Sequence, residues 1–385
     1  MTPFTFNTSA SIRFGSGILS DLGEMSQTAL GERVVVITDP GMMATGLVDR
    51  VIEALNSAQV EHVIYTDVKA DPPEEIVLAA TDFALDYGAT GIIGFGGGSS
   101  LDVAKLVAVL ARGAQNLKDI YGIGNVTGGR LPLLLIPTTS GTGSEVTPIS
   151  IITTGTNEKM GVVSPVIIPD IALLDPDLTI GLPAHITAAT GIDAMVHAIE
   201  AYASKSANNN PISRNLAKQA LSLMGASLEI AVHEGHNVKA RGDMLLGSML
   251  AGQAFANSPV AAVHALAYPL GGHYKIPHGL SNALVLPHVL RFNAVTAPTP
   301  YAEIAPFAFP DLEGLESQEG AAAFAEEMAG LSKRCGLPQS LREVEVTEDS
   351  LPMLAKDAMN QTRLLVNNPR DVTEADALHI YKAAY

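Results

Sequence analysis

Short apolar runs at residues 34–38, 60–65, 91–95 and 133–136 punctuate the first part of the chain, and stretches with helical periodicity, 42–56 and 74–87, lie between them. Runs this brief, separated by amphipathic helices, are the mark of βαβ units whose parallel sheet is covered on both faces. Residues 149–153 and 161–163 read as additional strands. Beyond Asp175-Pro176-Asp177 the pattern changes. From about residue 183 helical periodicity takes over, with helices expected at 183–204, 211–232, 238–256, 260–271 and 279–291, separated by turn-rich pieces such as SANNNP and HEGHN. The chain therefore reads as an α/β domain over 1–180 followed by an all-α domain over 181–385. At about 150 residues per domain, its 385 residues suggest two domains or three.

Charge and cysteine usage narrow the partners. With 23 Lys and Arg against 40 Asp and Glu, the net charge is −17, and no dense basic run offsets it. Nucleic acid and anionic membrane surfaces are not expected partners. The single cysteine, Cys335, excludes an internal disulfide and a cysteine-based metal cluster. The opening MTPFTFNTSASIRF lacks a basic region followed by an apolar stretch, so no signal peptide is expected and the expected compartment is the cytoplasm. Residues 244–272 carry no Asp, Glu, Lys or Arg, but Asn257-Ser258-Pro259 interrupts them. They read as two buried helices rather than a membrane span. Charged residues make up only 16%, against about 25% in typical domains. Surface hidden in subunit contacts, a homo-oligomer such as a dimer, fits that shortage.

Two loops carry the signs of a nucleotide site. GFGGGSSLD, Gly94–Asp102, follows an apolar run and opens a helix. Its glycines let backbone N–H groups approach a phosphate, and the helix N-terminus adds partial positive charge. An ordinary tight turn fits the same residues. TTSGTGSE, Thr138–Glu145, follows LPLLLIP and offers many small donors, or is a plain polar connection. In the common dinucleotide fingerprint an acidic residue follows the glycines by about 20 residues. Here the candidate acid, Asp39, precedes them, so the order differs. Asp39 suits an adenosine ribose and would repel a 2′-phosphate; it also suits the turn TDPG.

The helical half carries one acid and three imidazoles in largely apolar segments: Asp193 and His197 in ATGIDAMVHAIEAY, His264 in AVHALAYPLGG and His278 in KIPHGLSN. Asp193 and His197 are four apart, which stacks them on one helix face. A divalent cation would justify burying an aspartate beside histidines.

These motifs in order, namely ITD ending at Asp39, GGGS with Asp102 and Lys105, PTTSGTGSEVT, ATGIDAMVHAIE, AVHALAYPLGG with HYKIPHG, and NPR at Asn368–Arg370, resemble the iron-containing (group III) alcohol dehydrogenase family along nearly the whole chain. The resemblance implies a Rossmann-like N-terminal domain that binds NAD(P), a helical metal-binding domain of dehydroquinate synthase-like architecture, and chemistry between them. It implies Asp193, His197, His264 and His278 as ligands of Fe2+, with Zn2+ as the alternative. Asp39, Asp71, Gly96, Gly97, Gly98, Ser99, Ser100, Asp102, Thr138, Thr139, Thr147, Lys159 and Leu178 match cofactor-contact positions, and Asp39 marks NAD(H) over NADP(H). Substrate-facing positions map to Ile149, Ile151, Phe255 and Tyr268. Many relatives carry a second histidine where Tyr268 stands, so the proton route rests on Tyr268 or on the nearby His273. The implied reaction is metal-assisted hydride transfer between nicotinamide and a primary aliphatic alcohol or aldehyde, or an ω-hydroxy acid. A hydroxyacid–oxoacid transhydrogenase, a maleylacetate reductase and, more remotely, a dehydroquinate synthase-like cyclase are the alternatives.

Overall fold

The structure, a computed structural model, describes residues 3–113, 115–155 and 158–385. Two compact units make up the chain, Asn7–Gly181 and Leu182–Tyr385. Residues Pro3–Phe6 group with the second unit, not with the sheet as expected. The reason is local: the Asn208 carboxamide pairs with both the N–H and the C=O of Thr5, each at 2.9 Å.

The first unit is built on a six-stranded parallel sheet. Its spatial order is Ser11–Phe14, Ile171–Leu174, Leu133–Pro137, Gly91–Gly96, Arg33–Ile37, Glu61–Tyr65. The central strands show why continuous apolar runs were needed. Val35, Ile37, Ile92, Leu133 and Leu135 enter the core on one face. Val34, Val36, Ile93, Leu134 and Ile136 enter the core on the other. Strand side chains alternate, so a sheet covered on both sides has no position to give to a polar residue.

Three details differ from the sequence reading. The helix expected over 42–56 is two, Pro40–Ala44 and Leu47–Ser57, because Gly46 adopts a left-handed φ of 74° between them. The short strands Ser11–Phe14 and Ile171–Leu174 were not anticipated. SIRF has a mixed, half-exposed pattern, and Pro169-Asp170 interrupts the apolar run before IALL. Finally, Ile149–Thr154 and Glu158–Val163 form an antiparallel hairpin in a separate three-stranded sheet with Gly122–Ile123.

The second unit packs helices Ala184–Ala203, Pro211–His233, Val238–Asn257, Ala262–Tyr274 and His278–Ala294, followed by shorter ones to the C-terminus. Asn210 and Asn237 cap two of them through their side chains, and Pro211 sits at the first turn where its missing N–H costs nothing. The charge-free segment is two buried helices broken after Asn257. Among the described residues no helix is long and apolar enough to cross a membrane. The NPR motif is an internal tie: Asn368 exchanges hydrogen bonds with Asn293, and the Arg370 guanidinium donates to the Phe292 carbonyl at 2.7 Å.

Candidate active site

In the helical unit, one ligand atom from each of Asp193, His197, His264 and His278 lies within 4.8 Å of all the others. Three helices supply them. Asp193 and His197 leave one face of Ala184–Ala203, His264 stands near the start of Ala262–Tyr274, and His278 opens His278–Ala294. Gly279 allows the last helix to start there. A Cβ at that position would sit 2.5 Å from the Ala189 carbonyl oxygen, so only glycine fits the contact. Asp193, His197 and His264 are buried, whereas the His278 side chain is 42% exposed.

The electrostatics suit a cation. Burial pushes the Asp193 carboxyl up, but His278, His197, His264 and a hydrogen bond from Asn282 together hold it below its ordinary value. Burial disfavours a charged His264, yet the hydrogen bond and charge of Glu200, with Asp193, raise its pKa overall. His264 Nδ1 lies 2.6 Å from Glu200 Oε2, and the other Glu200 oxygen accepts the Val263 N–H at 2.7 Å. With Nδ1–H donating to the Glu200 carboxylate, the basic lone pair is on Nε2, which lies 4.0 Å from Asp193 Oδ1. A buried acid, three imidazoles whose ring nitrogens converge on it, and an orphaned Asn282 Oδ1 beside them fit a divalent ion. Glu200 ends the ATGIDAMVHAIE motif and had no assigned role. Glu200→Gln should weaken metal affinity by about 10–100-fold, as loss of an outer partner does. Competition against a chelator measures it; unchanged affinity would remove Glu200 from the site.

In the sheet unit, three loops leave the carboxyl ends of adjacent strands at one level, with Ile37 beside Gly94 and Gly96 beside Pro137. The chain's order reverses here. From Arg33–Ile37 it steps outward to Glu61–Tyr65, then returns to Gly91–Gly96 on the other side, and such switch points are where open α/β sheets bind ligands. Gly96 has a φ of 139°, which a side chain would not tolerate. The helix Gly98–Leu110 begins with no side-chain cap at Gly97, so its first N–H groups are available to an anion. Asp39 Oδ1 caps Pro40–Ala44 through the Met42 N–H, and Oδ2 accepts from Ser100 Oγ, both at 3.1 Å. This open helix start and acidic neighbour fit a dinucleotide.

Residues 9–176 match the family model described as iron-containing alcohol dehydrogenase, and 187–385 match that of the Fe-containing alcohol dehydrogenase family, C-terminal. The chain belongs to the iron-containing alcohol dehydrogenase family. Long-chain-alcohol dehydrogenase 1 of Geobacillus thermodenitrificans is 42% identical, over 96% of this chain and 94% of that protein. 1,3-Propanediol dehydrogenase of Citrobacter freundii is 36% identical over 97% and 96%. A solved 1,3-propanediol oxidoreductase superposes with a TM-score of 0.95 at 35% identity, covering both chains fully. Sulfoacetaldehyde reductase of Bifidobacterium kashiwanohense, solved in complex with NAD+, gives 0.87 at 28% identity, covering 100% and 99%. The family assignment, fold class and oxidoreductase class read from the sequence agree with these likenesses.

Within this family frame the remaining residues fall in distinct surroundings. Phe255 stacks on the His197 ring (4.3 Å between centroids), and Tyr268 lies tilted against His278 at 5.9 Å. Tyr268 is one helical turn from His264. His273 is five residues further on and faces elsewhere; its Nε2 pairs with Asp357 at 3.0 Å. Lys159 bonds Asp71 and, at 3.1 Å, Thr153 Oγ1. Thr138 is buried and its hydroxyl meets Met42 Sδ, while Thr139 and Ser99 are half-buried at the loop mouths. Leu178 is buried in the sheet core. Asp102 accepts from Ser144 Oγ at 2.6 Å and from the Ile151 N–H at 2.9 Å. Lys105, quoted in the motif but given no role, is the missed residue here: fully buried, it bonds Ser144, Thr147 and the Ile149 carbonyl.

Proposed function

We propose that this chain reversibly transfers hydride between NAD(H) and a primary aliphatic alcohol or aldehyde, or an ω-hydroxy acid, with Asp193, His197, His264 and His278 holding a divalent ion. The observation that carries the reading is the convergence of those four ligand atoms within 4.8 Å in an apolar helical unit. Bound there, Fe2+ (or Zn2+) lends Lewis acidity to a hydroxyl or carbonyl oxygen, and NAD(H) exchanges the hydride. One carboxylate against three neutral imidazoles leaves a dication's charge half uncancelled. Glu200 fixes the tautomer and orientation of His264. Tyr268, against His278, is better placed than His273 to pass a proton or wall the pocket. Phe255 holds the plane of His197 by stacking.

The glycine turn, with Gly96, Gly97, Gly98 and Ser99, takes the pyrophosphate, helped by Thr138, Thr139 and Thr147; Asp71, Lys159 and Leu178 complete the cofactor positions. Asp102 acts by anchoring the Ile149–Ile151 backbone. Ile149 and Ile151 lie on one side of their strand, and their apolar character supports an aliphatic substrate. Relatives named for long-chain alcohols, 1,3-propanediol and methanol support a primary alcohol end.

An anaerobic screen of NADH oxidation across aldehydes, with Fe(II) or Zn(II) supplied, tests the reading. No turnover with any aldehyde, by protein that has bound metal and NADH, would overturn it. Asp39→Gly should narrow the preference for NAD over NADP at least tenfold in kcat/KM, because the repulsion of a 2′-phosphate goes. Stability should fall by only about a few tenths of a kcal/mol, because glycine is itself a tolerated helix cap. An unaltered coenzyme ratio would remove the ribose role. The low charged fraction supports a homo-oligomer, a dimer first, and the single cysteine supports a cytoplasmic setting.

A further inference from the structure

Asn282 follows His278 by four residues on the His278–Ala294 helix, so both side chains leave the same face. It is fully buried. Its amide nitrogen lies 2.5 Å from Asp193 Oδ1 and 3.3 Å from both His264 Nε2 and His278 Nε2. That nitrogen has two hydrogens and faces three lone-pair atoms. At the other end, the buried Oδ1 has no hydrogen-bond partner. One end of the amide is crowded with acceptors and the other lacks donors.

We propose that Asn282 is a fifth donor of the metal centre, its amide oxygen turning toward the cation that the other four side chains hold. The proposal rests on the metal assignment above. A carboxamide reverses by a half-turn about Cβ–Cγ with little change of shape, because its oxygen and nitrogen are nearly the same size. Charge decides which end faces the cluster. Without an ion, the carboxylate and the two imidazole nitrogens draw the NH2. A dication that engages those lone pairs draws the oxygen, a hard neutral donor of the kind divalent ions accept. Asn282 thereby adds affinity without cancelling the ion's remaining positive charge.

The test uses the full chain stripped with chelator, with Co(II) and Zn(II) affinity measured by competition and melting temperature measured in chelator. Asn282→Ala should bind either ion at least tenfold more weakly. Asn282→Asp places a charged oxygen in the same space, so it should bind as tightly as the parent or tighter. In chelator it should melt lower, because two carboxylates adjoin. A residue that merely packs the helix gives a different pattern, with both variants losing affinity together. Parent-like affinity in Asn282→Ala, or an equal loss in Asn282→Asp, overturns the proposal. The His278→Ala variant separates the two assignments. If the parent binds neither ion, the metal assignment fails and this proposal with it. If the parent binds and His278→Ala does not, the assignment holds and the Asn282 variants alone decide.

Discussion

Asp193→Ala is expected to abolish alcohol oxidation and to leave the purified protein without its metal. Asp193 is the only carboxylate among the four converging side chains, and its histidine neighbours with the Asn282 hydrogen bond hold its pKa below the ordinary value against burial. Without it, three neutral rings must hold a dication in a buried site, and the Asn282 amide loses its shortest contact. Turnover should fall by far more than the about 100-fold that loss of an outer partner costs. Elemental analysis and kcat with excess Fe(II) or Zn(II) measure the two effects. Parent-like activity in a variant shown to carry no metal would sink the proposed centre. His278→Ala should act in the same direction, with less disturbance of the apo fold, because His278 is partly exposed.

Lys105→Met should have the largest effect on stability. The Lys105 ammonium is fully buried, and burial lowers its pKa against the opposing pull of Asp102 and Glu145. It donates to the Ile149 carbonyl at 2.7 Å, Ser144 Oγ at 2.8 Å and Thr147 Oγ1 at 3.2 Å, with Asp102 Oδ1 at 3.5 Å. Methionine fills the volume but leaves these oxygens and a carboxylate without their cation. Breaking a buried pair from one side costs about 3–5 kcal/mol. Denaturant unfolding of the metal-loaded protein, followed by a probe in the sheet unit, should show that loss. The released Ile149–Ile151 strand should also raise KM for the alcohol. A change below about 1 kcal/mol would mean that Lys105 does not lock this region.

The two-unit plan was legible because it is written in periodicity. Short runs such as LPLLLIP, set between amphipathic helices, point to strands buried on both faces, and the change near residue 180 separates sheet from helices. The acid and three histidines were legible as residue types, and the Asp193–His197 spacing as a shared face. What sequence alone hid depends on contacts between elements distant in the chain. Glu200 reaches His264 across 64 residues, and Asn282 reaches Asp193 across 89. A local signal existed for Asn282, since His278 and Asn282 repeat the four-residue step of Asp193 and His197. Lys105 had none, because nothing in GGGSSLDVAKL says that its lysine points inward. The split at Gly46 was missed because one glycine inside an amphipathic pattern reads equally as a tolerated helical residue.

Gly279 seats the His278 helix directly on the main chain of the helix that bears Asp193. The distance between two of the ligands is thus gauged by backbone against backbone, not by the fit of interchangeable aliphatic side chains. Exchanging apolar residues along these helices for others of similar volume should leave the donor geometry in place. Position 279 has no such latitude: even a methyl group there would wedge the two helices apart and misalign the donors.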